Sequence, residues 1–222
     1  MEEKKKAIII DDSCTDFMKI AINLQIIMWT ENIKNILVDF LYIAWKGRKE
    51  INDEKIKELE NEINSRIKNV NKTIKYNEGY STEVKIIKIE LDEEKYIEND
   101  LECTKKVLNM IGECKSKCED HYAIILDLIL NEREDVPKFF NTDSPSEEIL
   151  SEKIMKEESL CGKVIPYTCW DIGNYKIRSE WCKQQSIRLE DLLNKRQLTN
   201  VIINKTYKDK LIKILKGSIS NE

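Results

Sequence analysis

The chain of 222 residues sets 37 Lys+Arg against 41 Asp+Glu, is 41% hydrophobic, and holds only 6 Gly and 3 Pro. That length fits one elaborated domain, roughly 100–200 residues being usual, and the scarcity of Gly and Pro excludes collagen-like, mucin-like and low-complexity chains. A net charge of −4 argues against a nucleic-acid-binding surface, which needs a Lys/Arg excess gathered on one face, and a single His excludes a His-rich metal site.

The charged segment 1–6 is followed by only Ala7, Ile8, Ile9 and Ile10 before two aspartates, too short for the apolar core of a signal peptide. The greasiest stretch, 20–45, is interrupted by Glu31, Lys34 and Asp39, so it lacks the roughly 20 uninterrupted apolar residues of a membrane span. A soluble, cytoplasmic protein without membrane contact is expected. Its 7 cysteines form no CxxC pair, and Cys114 and Cys118, four apart, lack two further zinc ligands. Reduced packing thiols are the expectation.

Residues 6–10 form a β-branched run ending in Asp11 and Asp12, which reads as a buried strand delivering two carboxylates at its C-terminal end. Ser13 or Thr15 can cap the helix that follows, where Phe17, Ile20, Ala21, Leu24, Ile27 and Met28 recur at helical spacing. The helical reading continues over 32–45, with a break near Lys46 and Gly47. Ile56, Leu59, Ile63, Ile67, Val70 and Ile74 then mark a long amphipathic helix with a narrow apolar stripe. Such a stripe is either one arm of a helical hairpin packed on the preceding helix or a surface for a homodimer or a partner.

A turn at 78–81 leads into an alternating strand at 84–91, and a helix at 99–117 is capped by Asn99 or Asp100. The most apolar run, 122–130, holds one carboxylate, Asp127. A lone acid in a central strand is costly unless it is paired, hydrogen-bonded or metal-bound. After a polar loop at 131–145, a helix is predicted over 146–160, with Glu147 and Glu148 suited to its first turn. A strand at 163–168 ends on Thr168, residues 172–196 are polar and helical, a strand at 201–204 ends at Lys205, and 208–215 closes with a helix. Strands alternating with helices imply a mostly parallel sheet.

In such a sheet, ligands bind outside the carboxyl ends of the strands. The polar residues at the predicted strand ends are Asp11, Asp12, Asp127, Thr168 and Lys205. Three converging carboxylates repel one another and call for a hard divalent cation with oxygen ligands, as Mg²⁺ prefers. A lysine and a hydroxyl beside them suit a phosphoryl group. The set describes a Mg²⁺-assisted phosphoryl-transfer site.

On these residues the chain resembles the receiver domain of two-component response regulators. That family has an acidic pair after its first strand (IIIDDS, Asp11 and Asp12) and a phosphoacceptor aspartate on its third (ILDLIL, Asp127). A Ser/Thr ends its fourth strand (VIPYT, Thr168) and a Lys its fifth (VIINK, Lys205). The resemblance covers about 7–30 and 83–216. It implies a flavodoxin-like, doubly wound α/β fold with five parallel strands in the order 2-1-3-4-5, here as a single domain over 1–222 with a helical insertion at 31–80 between the first two strands.

It further implies that Asp127 accepts a phosphoryl group from a histidine kinase or phosphotransfer protein. Mg²⁺ would be held by Asp11, Asp12, Asp127 and the backbone carbonyl of Ile129, while Lys205 and Thr168 contact the phosphoryl oxygens. Signalling would run through protein contacts, with residues 31–80 as an output surface. The chain departs from the family in having Thr206 after Lys205 in place of proline, and Ile202 in place of the switch aromatic.

Other readings use the same residues differently. A Mg²⁺-dependent nuclease or phosphohydrolase would use these carboxylates to activate water, with Asp16 or Asp171 as a further acid. A degenerate receiver would be a binding module that is never phosphorylated. Asp11 and Asp12 also suit a helix N-cap, His121 a loop residue, and Trp29, Trp45, Trp170 and Trp181 core or interface positions.

Overall fold

The computed structural model describes residues 5–46, 51–73, 82–92, 100–116, 121–127, 130, 150–168, 193–194 and 205–216. At its centre β1 (Lys5–Asp11) is buried along almost its whole length, as a parallel strand covered on both faces must be. α1 (Phe17–Thr30) follows and ends in a Schellman motif. Asn32 takes the left-handed conformation at φ 56°, its N–H reaches the Trp29 carbonyl, and the N–H of Ile33 reaches the Met28 carbonyl at 2.8 Å. Asparagine tolerates that conformation better than most residues.

The chain then enters β2 (Ile36–Trp45), a strand where the spacing predicts helix. Nine of its ten positions are buried, because β2 lies between β1 and β3 and is covered on both faces. A continuous apolar run of this kind carries no alternation to separate strand from buried helix. Its residues are β-branched or aromatic at Ile36, Val38, Phe40, Tyr42, Ile43 and Trp45, which favours the pleated form.

α2 (Asp53–Thr73) leads to β3 (Thr82–Leu91), α3 (Asp100–Lys115) to β4 (Tyr122–Asp127), and α4 (Leu150–Met155), with a 3₁₀ turn at Glu158–Leu160, to β5 (Val164–Thr168). The two-residue β6 (Leu193–Asn194) pairs with β5, and α5 (Lys205–Leu215) is the last described helix. The sheet runs β3-β2-β1-β4-β5-β6, and every pairing is parallel.

The α/β, doubly wound class follows the prediction, and β2-β1-β4-β5-β6 reproduces the flavodoxin-like order 2-1-3-4-5. The identity of the second strand is corrected. Residues 36–45 take that place, and the predicted second strand, 84–91, becomes β3, an added strand at the edge. The helical insertion predicted at 31–80 is likewise corrected to a strand and a helix, β2 and α2, so the extra unit of this chain is α2 with β3. Residues 193–194, predicted as helix, are strand; the rest of 169–192, the strand expected at 201–204 and the loop at 131–145 lie outside the described residues.

Two cores flank the sheet. Ala7, Ile9, Val38 and Phe40 pack with Phe17, Ile20 and Leu24 of α1, Ile63 and Ile67 of α2, and Leu211 and Leu215 of α5. Phe17 stacks on Phe40 with centroids 4.2 Å apart. On the other face, Ile8, Ile10 and Leu41 pack with Val107 and Ile111 of α3 and Ile154 of α4. The winding direction reverses between β3 and β4, and a right-handed crossover then puts α3 on the opposite face from α1 and α2. The stripe of α2 therefore covers β3 and touches α1, and the element before it is a strand, so α2 is not one arm of a hairpin with a preceding helix.

Candidate metal centre

Asp11 is the last residue of β1, and Asp127 the last of β4. Ile10 and Leu126 are register partners, so the two aspartates leave the sheet side by side at its C-terminal edge. From here the chain continues to β2 and β3 on one side and to β5 and β6 on the other. This is the topological switch point, where open α/β sheets leave a crevice for ligands.

Asp12 follows directly, and one carboxylate oxygen from each of Asp11, Asp12 and Asp127 lies within 4.8 Å of the others. Asp11 and Asp127 are 0% and 1% exposed, while Asp12 is half-buried. The backbone N–H of Ser13 donates to Asp11 Oδ1 at 2.9 Å, an Asx turn that fixes the carboxylate as the chain bends toward α1.

At such separations two carboxylates repel by roughly 3 kcal/mol at an effective dielectric of about 20. A divalent cation held by these carboxylates would offset that repulsion. All three donors are hard oxygens, the set that Mg²⁺ takes, so the residues fit the ion that the sequence implies. The turn from Asp11 to Asp16 holds no glycine and carries three acids. It is therefore unlike the glycine-rich turn that cradles a dinucleotide pyrophosphate.

Register extends the site sideways. Asp11 partners Tyr42, and Tyr42 partners Lys88. Partners on parallel strands point to the same face, so Asp127, Asp11, Tyr42 and Lys88 form a polar row across four strands on the side of α1 and α2. Burial pushes the Tyr42 phenol above its ordinary value, and Cys14 and Asp12 add to the rise, against a backbone hydrogen bond from Ile51 and the charge of Lys88. Lys88 is itself balanced, with Nζ 2.6 Å from Glu90 and 3.7 Å from Asp53.

On the opposite face, the Trp45 indole N–H donates to the Leu130 carbonyl. That bond ties the end of β2 to the chain just beyond Asp127. Tyr42 and Lys88 escape the sequence reading because Tyr42 falls in the stretch predicted as helix, and the register between strands places Lys88.

Of the predicted residues, Asp11, Asp12 and Asp127 are brought together. Thr168 ends β5, one position beyond Tyr167, the register partner of Asp127. Its backbone thus reaches the same edge of the sheet. Lys205 is the first residue of α5, and Ile129 and Asp171 lie outside the described residues. Asp16 pairs with Lys19 at 3.3 Å and is not one of the clustered acids. His121 holds β1 through its backbone, its carbonyl accepting from the Lys6 N–H at 2.9 Å.

Among the described residues no helix is long and apolar enough to cross a membrane. No family model, curated protein or solved structure matches the chain.

Proposed function

We propose that the chain is a receiver-like phosphoacceptor that takes a phosphoryl group on Asp127 with Mg²⁺ held by Asp11, Asp12 and Asp127. The observation that supports it is the convergence of these three carboxylates at the switch point between β1 and β4. In the reaction, a carboxylate oxygen of Asp127 attacks phosphorus, the P–N bond of a phosphohistidine donor breaks, and the departing imidazole takes up a proton. Mg²⁺, held by Asp11, Asp12 and Asp127, would supply charge neutralisation at the phosphoryl oxygens.

By the resemblance, the Ile129 carbonyl completes the metal shell and Lys205 pairs with the phosphoryl oxygens. The Thr168 hydroxyl bonds one of them and links phosphorylation to a change of shape. The donor is a histidine kinase or phosphotransfer protein of the cytoplasm, and the output passes to a protein partner or a second copy through the part of 31–80 that reaches the surface, the outer face of α2, since β2 is buried in the sheet. Such a chain is a signalling domain and turns over no substrate of its own.

Incubation with acetyl phosphate and Mg²⁺, followed by intact-mass measurement, tests the reading. The expected result is a gain of one phosphoryl group, absent in Asp127→Asn and absent with EDTA. A wild-type mass that stays unchanged, with beryllofluoride also failing to bind, overturns it in favour of a binding module. Metal-dependent cleavage of a nucleic acid or phosphate ester would point to the hydrolase.

A further inference from the structure

We infer that Trp45 is a positioning residue of the metal centre: its indole N–H holds the chain that leaves Asp127 across the end of β1, and so keeps the Asp127 carboxylate beside Asp11 and Asp12. This role rests on the metal reading of the cluster and is independent of the phosphoryl step.

The strand β2 outruns β1 at the C-terminal edge of the sheet. Asp11 closes β1 opposite Tyr42, and β2 runs on through Ile43 and Ala44 to Trp45, about 10 Å further at roughly 3.3 Å per residue. Trp45 has the opposite parity from Tyr42, so its side chain lies on the α3 face, where it is 2% exposed in the core with Ile89, Leu91 and Leu130. A buried indole N–H needs an acceptor, and here it is the Leu130 carbonyl. Leu130 belongs to the chain leaving β4, and β1 lies between β4 and β2. The bond therefore bridges two strand spacings, about 9–10 Å, over the place where β1 stops.

Asp127 needs such a hold. Its strand pairs with β1 as far as Leu126, opposite Ile10, and with β5 at Tyr167. The ladder on the β1 side ends there, while the two neighbouring carboxylates push Asp127 away. Three residues of chain span at most about 10 Å, so fixing Leu130, itself 3% exposed, limits how far the end of β4 can retreat. Carboxylates held in place before the ion arrives lose less of the binding free energy to ordering. Fixed spacing also favours the ion with the stricter geometry. Mg²⁺ requires oxygens at about 2.0–2.1 Å in a near-octahedral array, whereas Ca²⁺ accepts about 2.3–2.6 Å and irregular shells. An indole that served the core alone would stabilise the fold and leave the choice between the two ions unchanged.

Calorimetric titration of the full-length chain with Mg²⁺ and with Ca²⁺, for wild type and Trp45→Phe, tests this role. Phenylalanine keeps an aromatic ring in the core and removes the N–H. In the variant Mg²⁺ should bind about tenfold more weakly, the effect of one hydrogen bond, and Ca²⁺ only about twofold more weakly, so the preference for Mg²⁺ falls about fivefold. A folded variant with both affinities unchanged, or lowered by the same factor, overturns the inference and leaves the metal reading intact; a wild type that binds no Mg²⁺ overturns both. Should the variant lose its fold, the wild type alone decides. In ¹⁵N–¹H spectra its Trp45 indole N–H signal should shift along the Mg²⁺ titration with the calorimetric midpoint, and a signal that stays fixed while Mg²⁺ binds overturns the inference.

Discussion

The central strands bury carboxylates at both ends of the sheet and treat them in opposite ways. At the N-terminal end, Asp39 of β2 lies 2.6 Å from Lys6 of β1, with side chains 9% and 5% exposed, and the Cys114 thiol of α3 donates to the same carboxylate. At the C-terminal end, Asp11, Asp12 and Asp127 bring three charges of one sign within 4.8 Å. At one end opposite charges meet, and at the other three charges of one sign gather. A groove of about 770 Å³ opens at the balanced end, but its lining mixes Lys6 and Lys85 with Asp39, Glu83 and Glu113. Burial of acid is therefore no mark of a site by itself; what distinguishes the C-terminal edge is three carboxylates gathered at the switch point.

The sharpest way to break this contrast is to unbalance the closed end. Lys6→Ala leaves Asp39 buried without its cation, which should cost about 3–5 kcal/mol and lower the melting temperature by roughly 10 °C in a chain of this size. Replacing both partners at once, Lys6→Met with Asp39→Leu, should restore most of the loss. Denaturant titration checks both, and a Lys6→Ala variant as stable as wild type would mean that the pair is not closed. At the other end the sign should reverse. Asp11→Asn keeps an acceptor for the Ser13 N–H and removes one like charge, so the metal-free variant should gain about 1–2 kcal/mol. On the metal reading, saturating Mg²⁺ should raise the melting temperature of the wild type, worth about 2.7 kcal/mol at a hundredfold excess over Kd, and Asp11→Asn should lose that rise. Equal responses to Mg²⁺ in the two proteins would remove the metal reading.

The two ends also differ in how far they can be read from the sequence. Asp11, Asp12 and Asp127 are legible because each ends or follows an apolar run, and strand ends in a parallel sheet converge. The Lys6–Asp39 pair is hidden, because Asp39 sits in a run that reads equally as buried helix or buried strand. The signal that separates the two is local: Asn32 and Asn35 both adopt positive φ, 56° and 55°, and Asn32 with Ile33 closes a Schellman motif. Two asparagines just past the last helical repeat are a stop signal, and heeding it places β2 beside β1. From that strand follow the added edge strand β3, the polar row through Tyr42 and Lys88, and the packing of α2 on β3. None of these could be reached while 32–45 stood as helix, since each depends on register between strands.

An effect confined to alkaline pH, and absent at neutral pH, probes the balanced end from its third member. Burial above all, then the charge of Asp39 and the hydrogen bond to it, push the Cys114 thiol from an ordinary 9.0 up to about 12. The folded state therefore holds this proton more tightly than the unfolded chain does. Stability is unaffected below pH 9 and falls as pH rises from about 9 toward 12, by up to about 1.4 kcal/mol per pH unit from this group. Tyr42, raised above its ordinary 10.0 at the other end of the sheet, acts in the same direction, so Cys114→Ala should flatten the early part of the decline and leave the later part. Alkylation gives an independent reading, because the thiolate is the reactive form. At pH 9 the exposed Cys161 should be modified while the buried Cys114 is spared, as mapped by peptide mass spectrometry. Equal modification of the two thiols in the folded protein would show that the N-terminal end of the sheet is open to solvent, and the contrast between an ion pair and a cluster of like charges would fail at its better-defined half.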